Sequence, residues 1–239
     1  MEDLLALATR AHGGSDRWKT VSRFRLNAEF GGAIWAMKGK KGIADSLVIV
    51  GETRSQRTVI APFPEAERIS TWEPGRQTIE FADGVVIAEQ LEPQSQFVGH
   101  TRQSPWNYFQ AAYFASQFCW NSVVVPFLFL RSDFFVEEGP RRFEDDEAWR
   151  SLRVIYPGGV VTHCREQTFY FDSDGLLRRV DYNLGVLGVA PVVHYMTDYR
   201  TFDGITAPTV HQVHVRNPDS TPAKESQIVS LFVRDATFD

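Results

Sequence analysis

The sequence has few residues suited to metal or redox chemistry. It contains only two cysteines, Cys119 and Cys164, so it could form one disulfide at most, and two free buried thiols are expected. The metal-binding spacings CxxC, HxxxH and HExxH are absent. The GxSxG turn of serine nucleophiles and the phosphate-binding loops GxGxxG and GxxxxGK are absent too. These absences predict no metal site and no cofactor, and they leave no residue to be named as catalytic.

Excess positive charge and long apolar runs are also missing. The net charge of −5 argues against nonspecific nucleic-acid binding and against attachment to anionic lipid, because both need a basic surface. The most apolar run, VVVPFLFL (123–130), contains Pro126 and is far shorter than the ~18 residues of a membrane span. The N-terminus, MEDLLALATRAHGG, lacks the basic start of a signal peptide. We therefore expect a cytoplasmic protein with no membrane span.

Aromatic residues, by contrast, are abundant. Eighteen Phe, seven Tyr and six Trp make up 13% of the 239 residues, and the hydrophobic fraction is 43%. This composition supports a sizeable core, and the aromatic excess suits a sheet with a large apolar face or a cavity for a hydrophobic ligand. Because no repeat or linker interrupts the chain, residues 1–239 are predicted to form a single domain.

Short segments of alternating polarity dominate the chain. An amphipathic helix over 3–12 and a short helix capped by Ser15 precede them, and the alternation begins near Val21. Further strand-like runs lie at 33–38, 43–50, 56–61, 67–72, 76–81 and 85–91, and, after an acidic loop at 143–149, at 150–156, 161–172, 176–183, 191–201, 206–216 and 227–235. Turn clusters separate most of these runs, which predicts an antiparallel meander.

One long helix interrupts the strands. The segment SPWNYFQAAYFASQFCWN (104–121) has Ser104 as a candidate N-cap and Pro105 at the first helical position. Its aromatic residues are spread around most of the helix circumference. A helix that is apolar nearly all round is predicted to be enclosed by the rest of the protein.

The segment THCREQ (162–167) places His163 beside Cys164, the pair that most suggests chemistry. Both lie in the predicted strand 161–172, where successive side chains point to opposite faces. They therefore cannot form one metal or nucleophilic site, and Cys164 is expected to be an ordinary strand residue.

Two tight turns, at Asp172–Gly175 and Phe202–Ile205, predict how the strands after 161 pair. They place Phe169 opposite Arg178, Gln167 opposite Val180, Arg165 opposite Tyr182, His194 beside Val180 and Val213, and Met196 beside His211. One face, predicted to be the core face, then collects Phe169, Phe171, Val180, Tyr182, Val192, His194, Met196, His211 and Val213. The other face, which includes Arg179 and Asp181, is mainly polar and is expected to face water.

Polar side chains on the core face allow two interpretations, because buried polar groups normally need partners. Either they are hydrogen-bonded to neighbours in the sheet, or they form the polar floor of an apolar pocket that orients an amphiphilic ligand. In the second interpretation the pocket wall consists of Tyr113, Arg165, Gln167, Phe169, Tyr182, His194, Met196 and His211.

The order of elements and three motifs resemble a known family. The motifs are AHGGSDRW (11–18), FYFDSDGLLRRVDY (169–182) and DYRTFDGITAPT (198–209). They are similar to proteins of the lipoprotein-localisation-factor (LolA/LolB-like) superfamily. The resemblance implies a mainly β (α+β) fold, a strongly curved antiparallel half-barrel of about 11 strands with helices covering its concave face. It also implies a cavity for acyl chains or other hydrophobic ligands.

The sequence departs from those proteins in one respect. The family's carrier is exported, and its receptor is lipid-anchored through an N-terminal cysteine, whereas this chain shows no export signal and no cysteine before Cys119. We therefore transfer neither lipoprotein trafficking nor any ligand-contacting residue from the family.

Three functions remain open. The first is the binding of a hydrophobic or amphiphilic small molecule between the sheet and helix 104–121. The second is a cofactor-independent enzyme with His194 or His211 as general acid or base beside a carboxylate such as Asp198. The third is an assembly module with a filled interior and a large apolar surface patch. The oligomeric state is left open.

Overall fold

A computed structural model describes residues 2–144 and 146–239, and its main feature is one curved antiparallel sheet. The 13 strands are β1 (Arg23–Gly31), β2 (Leu47–Glu52), β3 (Thr58–Ala61), β4 (Arg68–Glu73), β5 (Arg76–Phe81), β6 (Val86–Leu91), β7 (Phe135–Glu144), β8 (Glu147–Ile155), β9 (Glu166–Phe171), β10 (Leu177–Leu184), β11 (Ala190–Phe202), β12 (Ile205–Arg216) and β13 (Pro222–Phe238). The helices are α1 (Leu4–Ala11), α2 (Ser15–Thr20), α3 (Ala33–Met37) and α4 (Tyr108–Val124).

The strand order explains why a helix covers the concave face. From edge to edge it runs β6-β5-β4-β3-β2-β1-β13-β12-β11-β10-β9-β8-β7, and β1 pairs with β13 in the middle. The chain reaches one edge with β6 and resumes at the opposite edge with β7. The connection between them contains α4, which therefore crosses the sheet. The predicted half-barrel with helical cover is confirmed, with 13 strands where about 11 were expected.

Helix α4 is enclosed, as the distribution of its aromatic residues predicts. Every residue from Gln110 to Trp120 is buried. The helix begins at Tyr108, however, and its N-cap is Asn107, which forms a capping box with Gln110. The predicted start at Ser104 is wrong because Lys38 holds the preceding segment in a loop.

Lys38 is a fully buried cation that anchors this loop. Its Nζ donates to the backbone carbonyls of Thr101, Arg102 and Ser104 at 2.8, 3.1 and 3.0 Å. The Thr101 carbonyl also accepts from the Ser104 N–H, so these contacts hold residues 101–104 in a turn. Burial lowers the pKa of the Lys38 ammonium.

Two further segments differ from the sequence prediction. Residues 33–38, predicted as a strand, contain α3, because Gly32 turns the chain with φ of 92° and packs so close to Ile228 that no side chain would fit. The predicted acidic loop 143–149 is the tip of the β7–β8 hairpin; Asp145 lies outside the described residues. Strand β7 escaped prediction because it is largely exposed and its alternation is broken by a bulge after Gly139.

The pairing of β9 to β12 largely follows the predicted turns. His194 lies opposite Val180 and Val213, and Met196 opposite His211, as predicted. Phe169 pairs with Val180 instead of Arg178, a shift of two residues: the turn after Asp172 displaces the β9–β10 register by one residue, and a bulge between Leu177 and Arg179 displaces it by one more. Because the total shift is even, Phe169, Val180 and Tyr182 stay on the predicted core face.

The opposite, convex face carries a buried ionic cluster where a solvated surface was expected. The Arg179 side chain is fully buried and donates to both carboxylate oxygens of Asp181 at 2.6 and 3.0 Å. It also donates to Glu144 at 2.8 Å and to the Ser220 carbonyl at 2.7 Å. The β7–β8 hairpin and the β12–β13 turn supply these last two partners, so they cover the face that alternation assigned to water.

We expect Arg179→Leu to lower the free energy of unfolding by about 3–5 kcal/mol, because Asp181 would keep its buried charge without its main partner. Urea unfolding monitored by tryptophan fluorescence measures the change. Arg200→Leu is the control, since Arg200 is exposed on β11 and its loss should change stability by less than about 0.5 kcal/mol. Equal effects of the two substitutions would contradict a structural role for the cluster.

Candidate functional site

Most of the predicted pocket wall lines one small cavity between α4 and the sheet. Its volume is about 40 Å³, which holds only a few water molecules. Its wall includes five of the predicted residues, Gln167, Phe169, Tyr182, His194 and Met196, together with Phe118, Asn121, Ser122, Val125, Tyr156, Thr162, His163, Leu177 and Val180. We call this space the inner cavity.

His194 and His211 form a hydrogen-bonded pair at the base of the concave face. The two atoms His194 Nε2 and His211 Nδ1 are 3.0 Å apart, with one nitrogen donating and the other accepting. Phe118 of α4 packs on the His194 ring at a centroid distance of 5.1 Å. Burial lowers the pKa of His194 far below its usual value and that of His211 to about 4, so both imidazoles are neutral near pH 7. His211 stands behind His194 and does not line the cavity.

His163 is a functional candidate that the sequence analysis considered only as a partner of Cys164 and did not include in the predicted pocket wall. It lies parallel to Tyr182, with ring centroids 6.1 Å apart, and its centroid is 5.5 Å from that of Phe114. Both ring nitrogens are buried and neither has a hydrogen-bond partner among the described residues. Burial lowers its pKa to about 3. The sequence did carry a signal for this histidine. His163 lies two and four residues before Arg165 and Gln167, so the alternation that assigned those two residues to the core face assigns His163 to it as well.

Arg165 is not part of the cavity wall. Its side chain is exposed, and its Nε donates to the Tyr156 carbonyl at 3.0 Å. The reason is local: β9 begins only at Glu166, so residues 161–165 form a loop and do not alternate as a strand. Gln167 holds this loop, because its Nε2 donates at 2.8 Å to the Thr162 hydroxyl and to the Cys164 carbonyl. Cys119 and Cys164 are both free thiols, and the Cys164 thiol donates to the Glu166 carbonyl at 3.1 Å.

Tyr113 lies in a second and larger space beside the N-terminal half of α4. This cleft has a volume of about 490 Å³, and we call it the lateral cleft. Its lining residues are Glu92, Gln94, Ser95, Phe97, Val98, Tyr113, Thr162, His163, Gly185 and Val186. Thr162 and His163 line both spaces, so these two residues form the boundary between the lateral cleft and the inner cavity.

The geometry expected of an acid–base enzyme is only half present. The two imidazoles converge, but Asp198 is exposed on β11, and among the hydrogen bonds of the described residues none joins its carboxylate to either ring. Within residues 2–144 and 146–239, no group of three His, Cys, Asp or Glu side chains could hold a metal ion. A neutral histidine pair enclosed by apolar walls therefore offers hydrogen bonds to a ligand and lacks the carboxylate that would orient a general base.

The third functional class would use an exposed apolar surface, and one exists at the β6 edge. Large apolar residues at least two-fifths exposed cluster there: Phe81, Val85, Val86, Ile87 and Leu91. An exposed edge strand can pair with another chain. Assembly through this edge stays a prediction.

No protein-family model and no curated protein matches the chain, but solved structures do. A LolA superfamily protein, NE2245, from Nitrosomonas europaea is 8% identical with a TM-score of 0.55, over 99% of this chain and 92% of that one. The chain has a LolA-like fold. A DUF1329 family protein from Desulfovibrio piger is 13% identical with a TM-score of 0.52, at the same coverage of both chains. A domain from Vibrio parahaemolyticus named for outer membrane lipoprotein sorting is 9% identical with a TM-score of 0.51, over 98% of this chain and 92% of that one.

These similarities confirm the predicted LolA/LolB-like fold, and at such low identity they establish the fold alone. Among the helices of the described residues, none is long and apolar enough to cross a membrane. The cytoplasmic location expected from the N-terminus stays a prediction.

The buried imidazoles make the stability of this LolA-like fold depend on pH. An imidazole whose pKa falls from 6.5 to about 3 on folding resists protonation in the folded state, so stability is full above pH 6.5 and is lost as pH falls below it. We expect His163→Leu to reduce the loss between about pH 7 and about pH 5 by about 2 kcal/mol. Urea unfolding at the two pH values measures it. An unchanged pH dependence would show that His163 is not buried as a neutral ring.

Proposed function

We propose that this protein binds a hydrophobic or amphiphilic, lipid-like small molecule on its concave face, with the lateral cleft as the entry and His163 as the polar contact. The observation that carries the proposal is the position of His163, whose two unpaired nitrogens lie where the cleft meets the inner cavity. The similarity to a domain named for lipoprotein sorting supports the same class of ligand.

The lateral cleft has the size and surface that such a ligand needs. Its volume of about 490 Å³ falls within the range of small-molecule sites, ~300–1,000 Å³. Phe97, Tyr113 and Val186 supply apolar surface within it, and Gln94 and Ser95 are exposed. A ligand with an apolar body and a polar end can therefore bury its body without burying a polar group that lacks a hydrogen-bond partner.

His163 supports recognition of a hydroxyl, carbonyl or amide group. As a neutral imidazole it has one nitrogen that donates and one that accepts a hydrogen bond. Leaving both unpaired in a buried position costs about 1–3 kcal/mol per group. A ligand that bonds to the ring recovers that free energy, whereas a purely apolar ligand does not.

Deeper binding requires α4 to move, since the inner cavity of about 40 Å³ is too small for a ligand. The buried polar side chains of Ser116 and Gln117 on α4 lack partners among the described residues. Unpaired polar groups weaken the contact of α4 with the sheet, which favours a helix that shifts when a ligand enters.

Closing the lateral cleft should abolish the binding of a neutral solvatochromic dye. Gln94→Trp places a bulky ring on an exposed residue at the cleft, so we expect the Kd of the dye to rise at least about tenfold, or ~1.4 kcal/mol. Gln103→Trp is the matched control, because Gln103 is equally exposed and lies outside the cleft lining. Fluorescence titration measures both variants.

Native mass spectrometry of freshly purified protein, followed by solvent extraction, identifies any ligand that copurifies. The proposal fails if no dye binds to the native protein and no small molecule is extracted. It also fails if Gln94→Trp and Gln103→Trp bind the dye equally well.

A further inference from the structure

A separate pocket lies at the C-terminal end of α4, where the half-barrel opens between α2, the β2–β3 turn and the β8–β9 loop. Its volume is about 470 Å³, and we call it the mouth pocket. None of its lining residues also lines the inner cavity or the lateral cleft. Ligand binding at this pocket is therefore independent of the function proposed above.

The floor of the mouth pocket is aromatic and aliphatic. Trp18 of α2 stacks on Phe127 with ring centroids 4.3 Å apart and planes 7° from parallel. The Trp120 indole N–H donates to the Glu52 and Ser55 carbonyls at 2.8 and 3.1 Å, so its polar atom is satisfied by the protein. Val124 and Leu128 also line the pocket, and like the three aromatic residues they are more than nine-tenths buried, so the floor presents the edges of closely packed apolar side chains.

Three cations, Lys19, Arg54 and Arg131, line the same pocket, and none of the described residues that line it is Asp or Glu. Lys19 and Arg131 pair with Asp16 and Asp133, which offset part of their charge, so Arg54 is the main source of positive charge at the pocket. Arg54 forms no ion pair among those found in the described part of the chain. In a protein of net charge −5, this local positive charge points to an anionic ligand group.

The pocket is held open by hydrogen bonds of the surrounding loops. The Gln56 amide donates to the Val161 carbonyl and accepts from the Val161 N–H, both at 2.8 Å, which joins the β2–β3 turn to the β8–β9 loop. Arg54 donates from Nη2 to the carbonyls of Trp18 and Lys19 at 3.0 and 2.7 Å, which fixes α2 beside the turn. A pre-formed pocket binds its ligand without a large ordering cost.

From these observations we propose that the mouth pocket binds a single-chain anionic amphiphile, with the alkyl chain on Trp18, Trp120 and Phe127 and the carboxylate or phosphate headgroup beside Arg54. Contact with the apolar floor and attraction to the cations both contribute to the affinity, and the cations select the charge of the headgroup.

The position of the site is tested by filling the pocket. A Cβ added to Gly159, which lines the pocket, meets no atom within 4 Å, and the same holds for its neighbour Gly158, which does not line it. We expect Gly159→Phe to abolish saturable dodecanoate binding in isothermal titration calorimetry, and Gly158→Phe to retain it. Dodecanoate binding that survives Gly159→Phe would overturn the proposal.

The charge of the ligand is tested with dodecanoate, dodecyl phosphate, dodecanol and dodecylamine, each below its micelle-forming concentration. We expect the two anions to bind and the amine to bind most weakly; the ratio of the two anion affinities identifies the preferred headgroup. Arg54→Gln should weaken the binding of the two anions about fivefold more than that of dodecanol, because the loss of its hydrogen bonds to α2 affects every ligand alike; Arg57→Gln, outside the pocket and paired with Glu52, should alter neither. Charge selection would be refuted if the protein bound dodecanoate and dodecanol equally tightly. It would also be refuted if the Arg54→Gln and Arg57→Gln variants bound the anions equally tightly.

The two proposed sites can be distinguished in the same preparations. Gly159→Phe should leave the neutral dye bound at the lateral cleft, and Gln94→Trp should leave dodecanoate bound at the mouth pocket. Raising the salt from about 0.05 M to about 0.5 M should weaken dodecanoate binding and spare dodecanol, because only the first depends on charge. If one variant bound neither ligand, either the two ligands share a single site or the variant is misfolded. A urea unfolding curve distinguishes these cases, because only a folded variant unfolds cooperatively.

Discussion

The packing of α4 against the concave face of the sheet is the contact on which the rest of the structure depends. Because β6 and β7 lie at opposite edges, the chain between them must cross the sheet, and α4 makes that crossing. Most of its buried residues are apolar, so burial against the curved sheet is favourable except at Ser116 and Gln117. Lys38 at its start and the Trp120 indole near its end tie it to backbone carbonyls.

The same helix divides the concave side into three separate spaces. The inner cavity lies beneath Phe118, the lateral cleft beside Tyr113 and the mouth pocket beyond Trp120. An empty half-barrel would offer one large cavity, whereas a barrel filled by an aromatic helix keeps only peripheral volume. Ligand binding in this protein consequently depends on the ends and edges of α4, and on how firmly its partly unpaired polar residues hold it in place.

The accuracy of the sequence interpretation varied with the kind of local signal. The two-residue turn at Asp203–Gly204 correctly placed His194, Met196 and His211, since both residues adopt the positive φ of a tight hairpin. The longer turn after Asp172 allowed a bulge, and its register was wrong by two residues. Arg165 was misplaced because alternation was extended into residues that form a loop, and His163 was left out of the pocket wall because it was considered only with its neighbour Cys164.

The sequence by itself determined the antiparallel meander, the enclosed helix and the apolar face that carries the histidine pair, because each follows from local turn chemistry and the period of apolar residues. Tertiary structure alone decided which polar groups are buried. Arg179 and Asp181 alternate like solvated residues, yet the β7–β8 hairpin covers them. Lys19, Arg54 and Arg131 come from three distant segments, and only the closure of the half-barrel brings them to one apolar pocket. Whether a polar side chain is buried, and which side chains meet in one pocket, depends on segments that are far apart in the chain. A local sequence pattern contains no information about such contacts.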